Sequence, residues 1–312
     1  MATLLITGAQ RPVAANLAVV LSSAFDVVAV CDALPPRRQA KTTLPRLQGC
    51  QVTLAANAQD AADLIHGIGP QAVIHCGGLS ASAWEATEFN ANSDSAFICS
   101  AAQAACHVEA HFTLISTDAV FDRPHLFHKE GSRAESTDAP WIHSLESAAL
   151  EWGGLVLRTH ALAWSATPSA TLSERLYESL HHRTALSVNP AAYATPVLVD
   201  DLAEGWLRAF DRQLRGVLHL AGSERVGQLR FVRSLATELD QAESLEELLA
   251  YPNFAATHHR ETSLCSRRAC DLVGWRPLLF GDALRQFASQ CHDGRWDALG
   301  RTVKSTPTAQ AA

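Results

Sequence analysis

Through the first half of the chain, short runs of β-branched and apolar residues alternate with longer segments whose apolar positions recur every three or four residues. The short runs predict strands at Thr3–Thr7, Val27–Cys31, Ala72–Cys76, Phe112–Ser116 and Leu155–Arg158. The longer segments predict helices over Val13–Ser22, Ala58–Ile68, Ser93–Cys106 and Ser144–Gly153. Strict alternation of strand and helix implies β-α-β units and a parallel sheet covered on both faces. The expected fold class is therefore α/β, a doubly wound parallel sheet whose ligands sit at the carboxyl ends of its strands.

After Arg158 the alternation weakens. Helices are predicted over Leu172–His181, Leu202–Phe210, Leu229–Leu239 and Gly281–Ser289, with one strand at Gly216–Leu220. This pattern divides the chain into a dinucleotide-binding-type domain, 1–158, and a smaller α+β portion, 159–298, partly interleaved with the sheet, where substrate would be gripped. The polar, small-residue tail 299–312 is expected to be disordered. No internal repeat is visible.

Composition narrows the function classes. A chain of 312 residues with 47% hydrophobic and 18% charged residues buries a sizeable core. A net charge of −7 without a Lys/Arg block argues against nucleic acid as a partner. The opening MATLLITGAQ has neither a charged leader nor a long apolar run, and no window approaches a membrane span, so a cytoplasmic protein is expected. Eight scattered cysteines without a C-x-x-C pair read as reduced thiols acting as small core residues. His107 and His111 have i, i+4 spacing, but at a predicted helix end without a third ligand, and no metal is expected.

The stretch Thr7–Leu17, TGAQRPVAANL, follows the first predicted strand directly and has the outline of a phosphate-binding turn with two of three glycines replaced. Further on come VIHCGG (Val73–Gly78), FNAN (Phe89–Asn92), ISTDAVFD (Ile115–Asp122), LVLRTHALA, ATPVLVDDLAEG and LVGWRPLLFGDALRQF. In this order the motifs resemble the extended short-chain dehydrogenase/reductase superfamily, a Rossmann fold, and within it the dTDP-4-dehydrorhamnose reductase-like branch. ISTDAVFD is the most specific of them.

The resemblance implies a bound NAD or NADP. Its contacts would come from Gly8, Gln10, Arg11, Pro12 and Val13 of the turn, from Asp32, from Cys76, Gly77 and Gly78, and from Asn90 and Ser116. Asp32 at the end of the second strand slightly favours NAD, since a carboxylate accepts from the ribose 2′-hydroxyl and repels a 2′-phosphate, although Arg37 and Arg38 lie close by. Gly8 keeps the tight-turn role, Ala14 adds only a methyl at the third glycine position, and Arg11 stands at the second, where it either crowds the phosphates or grips them. Pro12 suits a first helical position.

The chemistry departs from that family. Its reductases use Tyr-x-x-x-Lys on a helix, whereas this chain has tyrosines only at 177, 193 and 251 and lysines only at 41, 129 and 304, never four apart in that order. Alignment puts His143 at the tyrosine and Ser147 at the lysine, so the standard mechanism is excluded. The residues left for catalysis are Thr117, matching the family's substrate-binding hydroxyl, Asp118 beside it, and His143, an imidazole suited to acid–base work. For each there is a plainer reading: a strand-end tie for Thr117 and Asp118, a solvent-facing helix residue for His143. Asp200 or Asp201 is expected to cap the following helix; the seven tryptophans read first as core and interface residues, with Trp84 and Trp164 as candidates to line a ligand cleft.

Three functions fit. One is a dinucleotide-binding protein with altered or weak catalysis on a small polar, sugar-nucleotide-like ligand. Another is an enzyme using His143 and Asp118 for reduction or for a non-redox elimination or isomerisation. The last is a non-catalytic regulatory or scaffold subunit serving a partner protein. Homodimerisation is common in the family, and no residue here specifies it.

Overall fold

The computed structural model describes residues 1–32, 44–85, 91–122, 125–134, 136–137, 139–166, 171–251 and 259–301. Six strands come from the first half: β1 (Ala2–Thr7), β2 (Phe25–Asp32), β3 (Cys50–Ala55), β4 (Ala72–His75), β5 (His111–Thr117) and β6 (Leu155–Thr159). Short strands follow at β7 (Ala161–Leu162), β8 (Leu186–Ser187), β9 (Ala192–Ala194) and β10 (Val197–Leu198). Then come β11 (Gly216–His219), β12 (Val226–Gly227), β13 (Leu249–Ala250) and β14 (Arg260–Glu261). The main sheet has seven strands in the order β11-β6-β5-β4-β1-β2-β3, all parallel. Its seventh strand, β11, is supplied by the second half of the chain.

Burial explains the order. Every residue of β4, β5 and β6 is buried, as a central parallel strand covered on both faces requires, whereas the edge strand β3 is largely open. Side chains alternate across the sheet, so Leu4 and Ile6 enter one apolar cluster and Leu5 the other. The cluster with Leu5 is closed by α2 (Ala58–Ile68), α3 (Ala91–His107) and α4 (Ala139–Glu151). The opposite face is closed by α1 (Pro12–Leu21) and by α5 (Leu172–His182), α6 (Val199–Asp211) and α7 (Gln228–Glu238) from the second half.

Helix ends follow local chemistry. Asn57 caps α2 by accepting from the amides of Gln59 and Asp60, and Gly69, with φ +60°, ends it in the left-handed region. Pro12 opens α1 as expected. For α6 the expectation needs correction, because the cap is Leu198 and both aspartates fall in the first turn. There Asp200 accepts from Arg295 and Gln290, and Asp201 from the Leu278 amide. Their carboxylates are engaged by the C-terminal region while still favouring the positive end of the helix.

The remaining elements are α8 (Ala242–Leu248), α9 (Arg267–Val273), α10 (Phe280–Ser289) and α11 (Arg295–Ala298), with small sheets β10-β7, β12-β9-β14 and β13-β8. Leu299 is buried and Arg301 pairs with the buried Glu174, so packing continues to Arg301. Residues 302–312 of the expected tail lie outside the described residues. Among the described residues no helix is long and apolar enough to cross a membrane, and no group of three or more His, Cys, Asp or Glu is placed to hold a metal. All eight cysteines are free, with Cys31 and Cys76 alone among them fully in the core.

Candidate functional site

The strand order reverses between β1 and β4, and the crevice at their carboxyl ends is formed by the β1–α1 turn. Gly8 has φ +77°, and a Cβ there would stand 1.9 Å from the Cys76 carbonyl oxygen, so only glycine fits. Arg11, the residue before α1, makes no side-chain cap, and Pro12 contributes no amide hydrogen. The Arg11 guanidinium influences Asp32, Asp94, His75 and Cys76, yet among the described residues its buried Nε has no hydrogen-bond partner.

Gln10 reaches across to the end of β2. Its amide nitrogen donates to Asp32 Oδ2 at 3.0 Å, and its amide oxygen accepts from the Asp32 backbone nitrogen at 3.2 Å. The other carboxylate oxygen, Oδ1, is buried and has no partner among the described residues. Burial pushes the Asp32 carboxyl up, while the Gln10 bond and the Arg11 charge oppose the shift. Asp94, in the first turn of α3, accepts from the Gly78 amide and is likewise pushed up by burial. His75 bonds Thr7 through Nδ1 at 2.7 Å, and burial, aided by Arg11, pushes its imidazole down to about 3.

A second cluster surrounds Glu146 on α4. The Glu146 carboxylate, 2% exposed, accepts from Arg158 Nε and Nη2 at 2.9 and 2.7 Å and from the Ser116 hydroxyl at 2.7 Å. His143, on the outer side of the helix and 45% exposed, lies 3.3 Å from the same carboxylate. Arg158 is thus a buried cation beside α4, but it enters from β6 and is fixed by its own counter-ion.

Asp118 belongs to a third cluster. Its Oδ2 accepts from His160 Nδ1 at 2.7 Å and from the Thr262 hydroxyl at 2.6 Å, and its Oδ1 accepts from the Ala83 amide at 2.8 Å. Burial alone would raise this carboxyl, but the His160 charge and these hydrogen bonds outweigh it and hold the group below its ordinary value. Thr117 accepts from the Ala119 amide, tying the strand end to the following turn.

The residues singled out in the sequence therefore fall into separate neighbourhoods. Gly8, Gln10, Arg11, Pro12, Val13, Asp32 and Cys76 gather at the crevice, with Gly77 and Gly78 on the adjoining turn after β4. Ser116 and His143 meet at Glu146, whereas Thr117 and Asp118 face a different set of partners. Asn90, Arg37 and Arg38 lie outside the described residues. Trp84 lines a small cavity, whereas Trp164 takes the core position and drops out as a cleft candidate: it is fully buried, stacked on Phe287 at 4.4 Å with its indole nitrogen donating to the Phe287 carbonyl.

Glu146, Arg158 and His160 were not singled out in the sequence. A lone glutamate within the small and apolar stretch SLESAAL was the available signal for a buried ion pair. A small cleft of about 50 Å³ opens between Arg11, Glu85, Ala161 and Thr171, beside the crevice.

No family model matches the chain, and no curated protein matches it in sequence. Solved structures do resemble it. A hypothetical dTDP-4-dehydrorhamnose reductase from Sulfolobus tokodaii superposes with TM-score 0.65 at 19% identity, over 91% of this chain and 99% of that one. A dTDP-4-dehydrorhamnose reductase from Bacillus anthracis in complex with NADP gives 0.67 at 15%, over 92% and 98%. A dTDP-glucose 4,6-dehydratase from Streptomyces venezuelae, with NAD bound, gives 0.73 at 16%, over 95% and 99%. The chain carries the fold of the extended short-chain dehydrogenase/reductases, a Rossmann-type sheet with a smaller C-terminal portion.

Proposed function

We propose that this chain is a dinucleotide-binding protein that handles a small polar ligand without Tyr/Lys chemistry. The observation that carries the reading is a pair of buried polar atoms, Asp32 Oδ1 and Arg11 Nε, without a partner among the described residues, beside an α1 N-terminus that none of those residues' side chains caps. An acceptor at the end of β2 suits a ribose hydroxyl, and free amides with a guanidinium suit pyrophosphate. The residues present thus fit NAD or NADP, and Asp32 favours NAD.

The dinucleotide supplies hydride chemistry when bound. Gly8 keeps the turn tight, Arg11 and the amides of Val13 and Ala14 neutralise charge, and Gln10 holds Asp32 for the ribose. In this reading residues 1–158 bind the cofactor and 159–298 grip the ligand. The like fold of NAD- and NADP-bound sugar-nucleotide enzymes supports it, and eight unpaired thiols support a reducing, cytoplasmic setting.

Calorimetric titration of nucleotide-free protein with NAD, NADH, NADP and NADPH tests the reading. Micromolar binding, weakened at least about tenfold by Asp32→Ala, is expected. Absence of binding by both the natural protein and Arg11→Gly overturns it. Binding regained only in Arg11→Gly also overturns it, identifying Arg11 as a block.

A further inference from the structure

A cavity of about 350 Å³ opens between the end of α10, α11 and the segment that precedes β3. It shares no residue with the cleft beside Arg11, and its volume falls within the range of small-molecule sites. Its wall is polar, lined by Gln48, Gln286, Ser289, Gln290, Asp293 and Arg295.

Gln290 is the buried part of this wall. It is 5% exposed, and its Nε2 donates to Asp200 Oδ2 at 2.9 Å. Because a carboxylate accepts only, that bond fixes which end of the amide is oxygen, and Gln290 Oε1 is buried with no partner among the described residues. Only a donor can satisfy it. Asp200 also accepts from Arg295, whose other terminal nitrogen donates to Asn16 Oδ1 at 3.0 Å. Asn16 is fully buried and donates to the carbonyls of Pro12 and Trp164 at 2.8 and 2.6 Å. Gln290 is thus one end of a hydrogen-bond chain anchored in α1, and its amide cannot turn over without breaking that chain.

The groups around it accept as well. The Ser289 hydroxyl donates to the Gln286 carbonyl at 3.0 Å, which leaves its lone pairs open. Asp293 lies one turn on, its amide donating to the Ser289 carbonyl at 3.0 Å, and no cation among the described residues pairs with its exposed carboxylate. The carboxyl end of α10 adds the negative pole of a ten-residue helix. Arg295, the cation on the wall, has Asp200 as its counter-ion. A group that brings several donors and a positive charge suits this arrangement, and a primary ammonium has three donors and no acceptor. The exposed amides of Gln48 and Gln286 both donate and accept, as hydroxyl groups require.

We propose that this cavity is a binding site for a small hydroxylated primary amine, with the ammonium on Gln290 Oε1, Ser289 and Asp293 and the hydroxyls on Gln48 and Gln286. No covalent bond is made or broken and no dinucleotide takes part. The site therefore stands or falls independently of the crevice at β1.

The test is calorimetric titration of the full-length, nucleotide-free protein at neutral pH and fixed ionic strength with D-glucamine, the primary amine of sorbitol. D-Sorbitol and choline are the comparisons: sorbitol has a hydroxyl in place of the ammonium, and choline has the charge without N–H donors. Saturable one-to-one binding of D-glucamine is expected, at least about tenfold tighter than either comparison and weakened about tenfold by Gln290→Met and by Asp293→Asn. Asp293 is on the surface, so Asp293→Asn keeps the fold even if Gln290→Met does not. Absence of saturable binding overturns the proposal and leaves Gln290 Oε1 to an ordered water. Binding that Asp293→Asn leaves unchanged overturns it too. Choline bound equally well would reduce the site to a patch of negative charge, and sorbitol bound equally well would make it a polyol site; either result overturns the ammonium assignment.

Discussion

Asp118 and His160 lie 2.7 Å apart with both side chains out of solvent, although they leave the ends of adjacent parallel strands 42 residues apart in sequence. Donors from His160, Thr262 and Ala83, besides a longer one from the neighbouring Thr117 hydroxyl, lock the ends of β5 and β6 to the turn after β4 and to the segment after β14. Asp118→Asn keeps the shape but replaces one acceptor oxygen by a donor facing filled donors. We expect a loss of about 3 kcal/mol in urea unfolding at pH 7. Because the Asp118 carboxyl is held below its ordinary value, its contribution is complete above the unfolded value and lost as pH falls through the folded one. The difference between natural protein and variant should accordingly shrink in acid.

The Glu146–Arg158 pair permits a sharper comparison. Both side chains are almost wholly buried, so removing one partner strands the other charge. Glu146→Ala should cost about 3–5 kcal/mol, whereas Glu146→Leu combined with Arg158→Met should recover much of it. A double-mutant cycle by chemical denaturation separates a buried ion pair from a packing contact.

Much of this fold was legible because parallel strands covered on both faces are written as uninterrupted apolar runs. Ile6, Ile74, Leu114 and Leu157 each sit in such a run, and the helices between them carry the complementary spacing. Shorter elements were not legible: β7, β9 and β14 have two or three residues each, too few for a period, and pair only because distant segments meet. The crevice residues were legible because a strand, a turn and Pro12 follow one another directly. Glu85 and His160 were not, since their chemistry arises from a turn, a strand end and an Asp118 contact spanning tens of residues. Trp164 left both readings open for a related reason: aromatic bulk suits a cleft or a core until the neighbouring Phe287 is known.

The β1–α1 turn should be intolerant of the smallest change. Gly8→Ala must move the Cys76 carbonyl as well as hold a left-handed φ, so both backbone strain and a displaced β4 end contribute. A loss of about 3 kcal/mol is expected, read as a shift in denaturation midpoint at unchanged slope. Gly281, around which a Cβ would meet nothing, serves as the control, and Gly281→Ala should change stability little.

The pH dependence of stability isolates Glu85. Its folded value, raised by burial to about 7, lies above the ordinary carboxylate value of 4.5, so the folded state binds the proton more tightly than the unfolded state does. Stability from this group is therefore full below about pH 4.5 and lost as pH rises toward 7, at up to about 1.4 kcal/mol per unit. Two histidines act oppositely, since burial lowers His75 and His219 to about 3 and their protonation in the unfolded state favours unfolding as pH falls below the ordinary imidazole value. The natural protein should thus gain stability between pH 5 and 6.5 less steeply than the histidines alone would dictate. Glu85→Gln removes the opposing slope and nothing else that titrates. Its stability should match the natural protein near pH 4 and exceed it by about 2–3 kcal/mol above pH 8, measured by urea unfolding across that range. A constant offset between the two proteins at every pH would mean that Glu85 titrates alike folded and unfolded, and that its carboxylate is only a cap for the Ser82 turn.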